Sequence, residues 1–224
     1  MNYFTKKGTG GKIFKLMNHI LPKSFWYDTL DSTMDEAKRL IKSGKIQDTA
    51  YIVSDYQTAG RGRHGKVWDS PRNAGIYLSI VHLPQEGRCF RSTPFYTFAC
   101  GVACVETLKE ICKIEALIKP INDIYVGSKK LGGILIESKL HKDGISELIT
   151  GVGINVCKVI HALDKEKAYP ISIEEILLPE DFKKFSRNAF IEKLVYEINY
   201  WYSFLFNGED PKVKDVWEKY KIKN

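Results

Sequence analysis

The residues Gly60-Arg61-Gly62-Arg63-His64-Gly65 bring together what is needed to hold an anion. Glycine allows positive φ and close backbone approach to a ligand, and guanidinium groups present forked donors that match phosphate or carboxylate oxygens. The plain alternative is an exposed basic loop tip, since turns containing Gly and Arg are common. The flanks favour binding. Gln57 supplies an amide able to read a polar ring, and Trp68 supplies a flat apolar surface. His64 has no Ser or Cys nucleophile arrangement around it, so it reads as loop structure or a ligand contact rather than a general base.

Two further segments carry chemistry. In Asn122-Asp123-Ile124-Tyr125-Val126-Gly127-Ser128-Lys129-Lys130-Leu131-Gly132-Gly133-Ile134-Leu135-Ile136-Glu137, Lys130 stands at the mouth of a hairpin beside two glycines that leave space. An ammonium there can neutralise charge developing on a carboxylate or phosphate oxygen. Lys129 reads as a solvated turn residue, and for Lys130 the two readings balance. Gly151-Val152-Gly153-Ile154-Asn155 sets two glycines on a strand ahead of an amide. Such glycines mark either close approach by a ligand or a simple bulge.

Periodicity predicts the elements that must position these groups. Phe25 to Leu30 reads as a strand. Thr33 and Glu36 have the spacing of a capping box that opens a helix, and Gly44 closes it. Tyr51 to Asp55 reads as a buried strand, Tyr56 to Asn73 as a long loop of the kind that usually serves function, and Gly75 to Leu83 as a strand. Pro94 to Ile111 has helical spacing. Ile124 to Val126 and Gly133 to Leu140 form a hairpin, followed by a strand ending near Val156, and Arg187 to Phe206 and Pro211 to Tyr220 read as helices. Strand pairs interleaved with helices predict an α/β (α+β) fold, a mixed sheet with helices packed against it. Residues 1–24 read as a basic, loosely structured lead-in.

Composition bounds the rest. A chain of 224 residues, 44% hydrophobic, can bury one substantial core. The longest uncharged stretch, Ser92 to Val105, has 14 residues, too few to span a bilayer, so no membrane partner is expected. A net charge of +7 favours an anionic partner. No helix-turn-helix, zinc-finger or aromatic RNA-binding pattern accompanies it, which argues against nucleic acid. The cysteines show no metal-ligand spacing and suit a reducing, cytoplasmic setting. Cys100, Cys104 and Cys112 recur on one face of a helix and read as core.

Taken in order, Ser32-Thr33, the loop at 60–65, Asn122-Asp123, Lys130-Leu131-Gly132-Gly133 and Gly151 to Asn155 resemble the catalytic domain of biotin protein ligases over about residues 25–217. The resemblance implies a mixed sheet related to class II aminoacyl-tRNA synthetases and lipoate ligases. It implies adenylation of biotin by ATP with magnesium, then transfer to a lysine of a biotin carboxyl carrier protein, with a homodimer among the allowed assemblies. Ser32, Thr33 and Gln57 would contact the biotin ring, with Gly60, Arg61, Arg63, Trp68, Lys130 and Gly133 around the ligand. Arg61 and Arg63 would hold the adenylate phosphate and order the loop over it. Lys130 would meet the carboxylate and α-phosphate, His64, Asn122 and Asn155 would face the nucleotide, and Asp123 would position the reacting groups or the metal.

Three departures from the family pattern stand out. Met34 occupies the usual Asn position, Pro120 and Ile121 replace a Trp-Pro pair, and only seven residues follow Trp217. From this the sequence reading expects residues 25–224 to be a catalytic domain without the family's C-terminal β-barrel or an N-terminal DNA-binding domain. A lipoate ligase, a non-catalytic biotin or biotinyl-adenylate binder, and a basic nucleic-acid binder are the competing readings.

Overall fold

The computed structural model describes residues 21–83, 93–142, 144–158 and 169–223. The expected lead-in lies largely outside the described residues; Lys23 already belongs to the first strand. Seven strands form one sheet: β1 (Lys23–Tyr27), β2 (Ala50–Ser54), β3 (Gly75–His82), β4 (Leu117–Lys119), β5 (Asp123–Val126), β6 (Lys129–His141) and β7 (Gly144–Asn155). Their order is β1-β2-β3-β7-β6-β5-β4; β1 and β2 run parallel and every other pair antiparallel. This is the expected mixed sheet.

Helices cover both faces. One is α1 (Thr33–Lys42), whose Met34, Ala37 and Leu40 pack on Ala50, Ile52, Val81 and Ile149. The larger core lies on the other face. There α2 (Thr93–Thr107, continued in π geometry over Leu108–Cys112), α5 (Arg187–Phe206) and α6 (Asp210–Tyr220) bury residues such as Cys100, Cys104, Phe190, Tyr202 and Trp217 against Leu78, Leu148 and Ile154. Two short helices, α3 (Ile173–Ile176) and α4 (Pro179–Phe182), precede α5. The strand period of two divides β7 between the two layers. Leu148, Val152 and Ile154 enter the large core, while Ile149 belongs to the α1 layer.

Several boundaries differ from expectation for local reasons. Thr33 does not cap α1. Ser32 does, its Oγ accepting from the Met34 N–H at 3.2 Å, while Glu36 accepts from the Tyr27 hydroxyl at 2.9 Å. The reciprocal capping box is instead at Ser172 and Glu175, opening α3. The strand expected over 25–30 ends at Tyr27, and Leu30 forms a single bridge to Gln57. The strand β4 has only three residues, too few to give a readable period. Its end at Lys119 agrees with the extended backbone that Pro120 imposes on its predecessor. Cys100, Cys104 and Cys112 are buried, and burial raises the Cys112 thiol pKa to about 11, which fits core packing.

His82 ends β3 beneath α5, fully buried, with Nε2 2.8 Å from the Asn199 Oδ1. Burial disfavours its charged form and lowers its pKa from 6.5 to about 4. Below pH 6.5 the unfolded chain takes up this proton and the folded chain does not, so stability falls as pH drops from about 6.5 to 4. The loss reaches about 3 kcal/mol by the lower limit. Urea unfolding of wild type and His82→Leu at pH 7, 5.5 and 4 checks this: the variant should lose that part of the slope, and an unchanged slope would rule it out.

Candidate functional site

The anion-binding loop is a small hairpin. Trp68 N–H donates to the Gly60 carbonyl at 2.9 Å, Gly62 N–H donates to the Lys66 carbonyl at 2.7 Å, and Arg61 bridges Val67 between them. Arg63–Gly65 form the turn, with His64 at φ 56° and Gly65 at φ 73°. His64 is exposed there, which fits its reading as loop structure. At Gly60 no side chain fits: an added Cβ would collide with the Trp68 carbonyl and lie 2.6 Å from the Ser70 Oγ.

The hairpin lies over a strip of sheet with no side chains. Gly133 pairs with Gly153 across β6 and β7, and Gly151 lies two residues along the same face. The Trp68 indole sits directly on this floor. A Cβ at Gly153 would overlap it, and one at Gly133 would lie 3.1 Å from its Cζ3. A Cβ at Gly151 would lie 2.8 Å from the Met34 Sδ, so the apolar side chain of Met34, 4% exposed, covers that end of the floor. The Trp68 Nε1 is buried without a hydrogen-bond partner among the described residues.

The polar residues form a continuous network. Ser79 Oγ donates to Thr33 Oγ1 at 2.8 Å, Gln57 Oε1 accepts from Thr33 N at 2.8 Å and Thr33 Oγ1 at 3.2 Å, and Gln57 Nε2 donates to Ser70 Oγ at 2.8 Å. Ser70 Oγ then donates to the Trp68 carbonyl at 3.0 Å. Gln57 therefore ties the start of α1 to the hairpin, with both Oε1 lone pairs used and one N–H left over. Just upstream, Asp31 accepts from the Ser32 N–H and pairs with Arg39, which lowers its pKa to about 2.

The cations separate into distinct contacts. Lys130 Nζ lies 2.7 Å from Asp123 Oδ1 and 5.5 Å from the centre of the Trp68 ring, within cation–π range. Its backbone is held on both sides: Lys130 N–H donates to the Tyr169 carbonyl at 2.9 Å, and Ile171 N–H to the Lys130 carbonyl at 3.0 Å. Asn155 supports that clamp, its Nδ2 donating to the Ile171 carbonyl at 3.0 Å. Arg63 Nη1 donates to Asn122 Oδ1 at 2.9 Å, and Asn122 Nδ2 to the Ile134 carbonyl at 3.0 Å. Arg61 turns the other way, to Asp35 and Glu137.

Trp68, Lys130, Asp123, Gly133 and Gly153 thus meet at one place, Arg63 and Asn122 at its margin, and Ser32, Thr33 and Gln57 behind it. Sequence reasoning missed Asp35, Lys38, Ser70 and Ser79, and it placed Glu137 at the end of the 122–137 segment without a role. Glu137 alone carried a local signal, because four residues beyond Gly133 in a strand it shares that face. Among the described residues no three His, Cys, Asp or Glu side chains cluster closely enough to hold a metal.

The glycine floor generates a direct test. Gly153→Val should dislodge Trp68 and release the hairpin, at a stability cost of about 1–3 kcal/mol. Trypsin should then cut after Arg61 or Arg63 at least about tenfold faster at a temperature where the fold persists. An unchanged cutting rate would show that the floor does not seat the indole.

Comparison with known proteins identifies the family. Residues 26–155 match the biotin/lipoate A/B protein ligase family. The bifunctional ligase/repressor BirA of Bacillus subtilis (strain 168) is 31% identical over 202 residues, which span 88% of this chain and 59% of that protein. The biotin--[acetyl-CoA-carboxylase] ligase of Paracoccus denitrificans is 28% identical over 168 residues, spanning 71% of this chain and 68% of its own length. Among solved structures, the biotin protein ligase from Aquifex aeolicus in complex with biotin and ATP superposes with a TM-score of 0.72 at 28% identity, covering 89% of this chain and 78% of that one. The match to the family runs from β1 to the end of β7 and takes in the hairpin, Lys130 and the glycine floor: this chain belongs to the biotin/lipoate A/B protein ligase family.

Proposed function

We propose that this chain is a biotin protein ligase: it joins biotin to the α-phosphate of ATP, releases pyrophosphate, and passes the biotinyl group to a lysine of a biotin carboxyl carrier protein. The observation that carries this reading is the Lys130 ammonium poised over Trp68, whose indole covers the glycine floor of Gly133 and Gly153. The relatives' own names point to biotin, and the Aquifex aeolicus neighbour is a complex with biotin and ATP.

The chemistry explains the need for such a site. A biotin carboxylate oxygen attacks the α-phosphorus, and the bond to the β-phosphate breaks with its electron pair leaving on pyrophosphate. Two anions must approach each other, so fixed cations at the point of contact lower the barrier. Lys130 and the Arg63 tip supply them. Asp123 holds the Lys130 Nζ in place, and Asn122 does the same for Arg63. In the second step a neutral lysine amine attacks the acyl carbon, AMP leaves, and the amine loses a proton. Until then the mixed anhydride must be kept from water, a task suited to Trp68 and the hairpin.

For biotin's fused rings, Met34 offers an apolar contact, and the spare Gln57 N–H and the Ser32 hydroxyl are donors to a ring carbonyl. The nucleotide falls to Arg63, Asn122 and the Asn155 side of the clamp. Magnesium is expected to arrive with the nucleotide phosphates and to keep water in its shell, because the described residues offer no protein-only cage. No helix among the described residues is long and apolar enough to cross a membrane, and a cytoplasmic setting fits the free thiols of Cys100, Cys104 and Cys112.

The test is pyrophosphate exchange with biotin, ATP and magnesium, followed by streptavidin detection of a carrier domain. Wild type should exchange and label. Lys130→Ala, still folded, should lose at least about a hundredfold in the exchange rate. Biotin binding without exchange would turn the assignment into a binding protein, and exchange with lipoate alone would move it to the other branch of the family.

A further inference from the structure

Arg61 and Arg63 stand two residues apart in one hairpin, yet their side chains diverge. Arg61 Nη2 lies 2.9 Å from Asp35 Oδ1 and 3.2 Å from Glu137 Oε1. Asp35 belongs to the first turn of α1, and Glu137 projects from β6 on the face that carries Gly133. Lys38 completes the group, its Nζ 2.6 Å from Glu137 Oε2 and 3.7 Å from Asp35 Oδ1. Two positive and two negative charges therefore balance locally. The four side chains are 30–46% exposed, partly withdrawn from water, and in a network of this kind ion pairs hold better than isolated surface pairs do.

A guanidinium already seated on two carboxylates is a poor receptor for another anion, because an incoming phosphate would meet both carboxylates at close range. The same contacts do something else well. They join a loop, a helix and a strand through one side chain, and the Arg61 backbone pairs with Val67, the neighbour of Trp68. We propose that Arg61 is a positioning residue that, with Asp35 and Glu137 as its seats, fixes the height of the hairpin and its Trp68 above the glycine floor. The phosphate is left to Arg63 and Lys130. Only the kinetic arm of the test below rests on the ligase reading.

The test compares Arg61→Gln, the double variant Asp35→Asn/Glu137→Gln, the combined triple variant, and Arg61→Lys, which keeps the charge but seats on one carboxylate at a time. Two readouts are taken: amide hydrogen exchange across residues 60–68, and the share of adenylate escaping into solution rather than reaching the carrier. Arg61→Gln and the double variant should each speed exchange at least about tenfold and raise escaped adenylate about fivefold, with the KM for ATP little changed. The triple variant should be no worse than Arg61→Gln, since the three residues act as one unit, and Arg61→Lys should fall between. A large rise in the KM for ATP with Arg61→Gln, together with unaltered loop exchange in the double variant, would make Arg61 a phosphate ligand and overturn the proposal. If wild type forms no adenylate, the ligase reading fails, and hydrogen exchange alone still decides whether Arg61 supports the hairpin.

Discussion

Where Gly133 faces Gly153 across β6 and β7, the sheet shows bare backbone on one face, and a flat ring can lie against it at van der Waals distance. A side chain at either position would lift the indole of Trp68, and with it the hairpin that carries Arg61 and Arg63. The surrounding contacts serve that close approach. Gln57 and Ser70 brace the Trp68 backbone from behind, Gly60 lets the hairpin arm pass close to them, and the Lys130 ammonium lies over the ring. A face of sheet left without side chains sacrifices packing. The loss is tolerable because the opposite face of the same strands enters the large core.

Charge is arranged with the same separation of tasks. Lys130, Arg63 and Arg61 each have a protein partner, but of different kinds. Asp123 is a single carboxylate, Asn122 is neutral, and Arg61 faces two carboxylates at once. A phosphate competes readily with an amide for a guanidinium and with difficulty against two carboxylates. The residue types alone make the two arginines look equivalent; their partners make them different. The hairpin is accordingly less pliant than its glycines suggest, since Arg61, Arg63 and Trp68 fasten it at three points.

What could be read from the chain beforehand follows physical range. Strands β2, β3, β6 and β7, the long loop and both late helices carry their period or turn chemistry within a dozen residues, and they emerged near their expected positions. The Gly/Arg loop, Lys130 and the two glycines of β7 were recognisable as a set and come together in the fold. Contacts that depend on distant pairing were not legible. Arg187 fastens α5 to Asp55 and to the carbonyls of Ser54 and Gly75, more than a hundred residues away, and nothing local marks it. The seats of Arg61 fail to show for the same reason: nothing in the sequence joins Asp35 to Glu137 until α1 and β6 are laid side by side. Ser32 and Thr33 were confused as helix caps because both can cap, and only Ser32 has the extended backbone that a cap requires.

The alternation along β7 also governs how this protein can change. Val152 and Ile154 point into the hydrophobic layer, and Gly151 and Gly153 point to the opposite side. Point changes at Gly151 and Gly153 act first on Met34 and Trp68, and changes at Val152 and Ile154 act on the large core. A single inserted or deleted residue in that strand has no such freedom. It would turn branched aliphatics toward the indole and leave holes beneath α5, spoiling recognition and folding together. Divergence here is therefore expected to proceed by replacement, with gaps confined to the connecting segments.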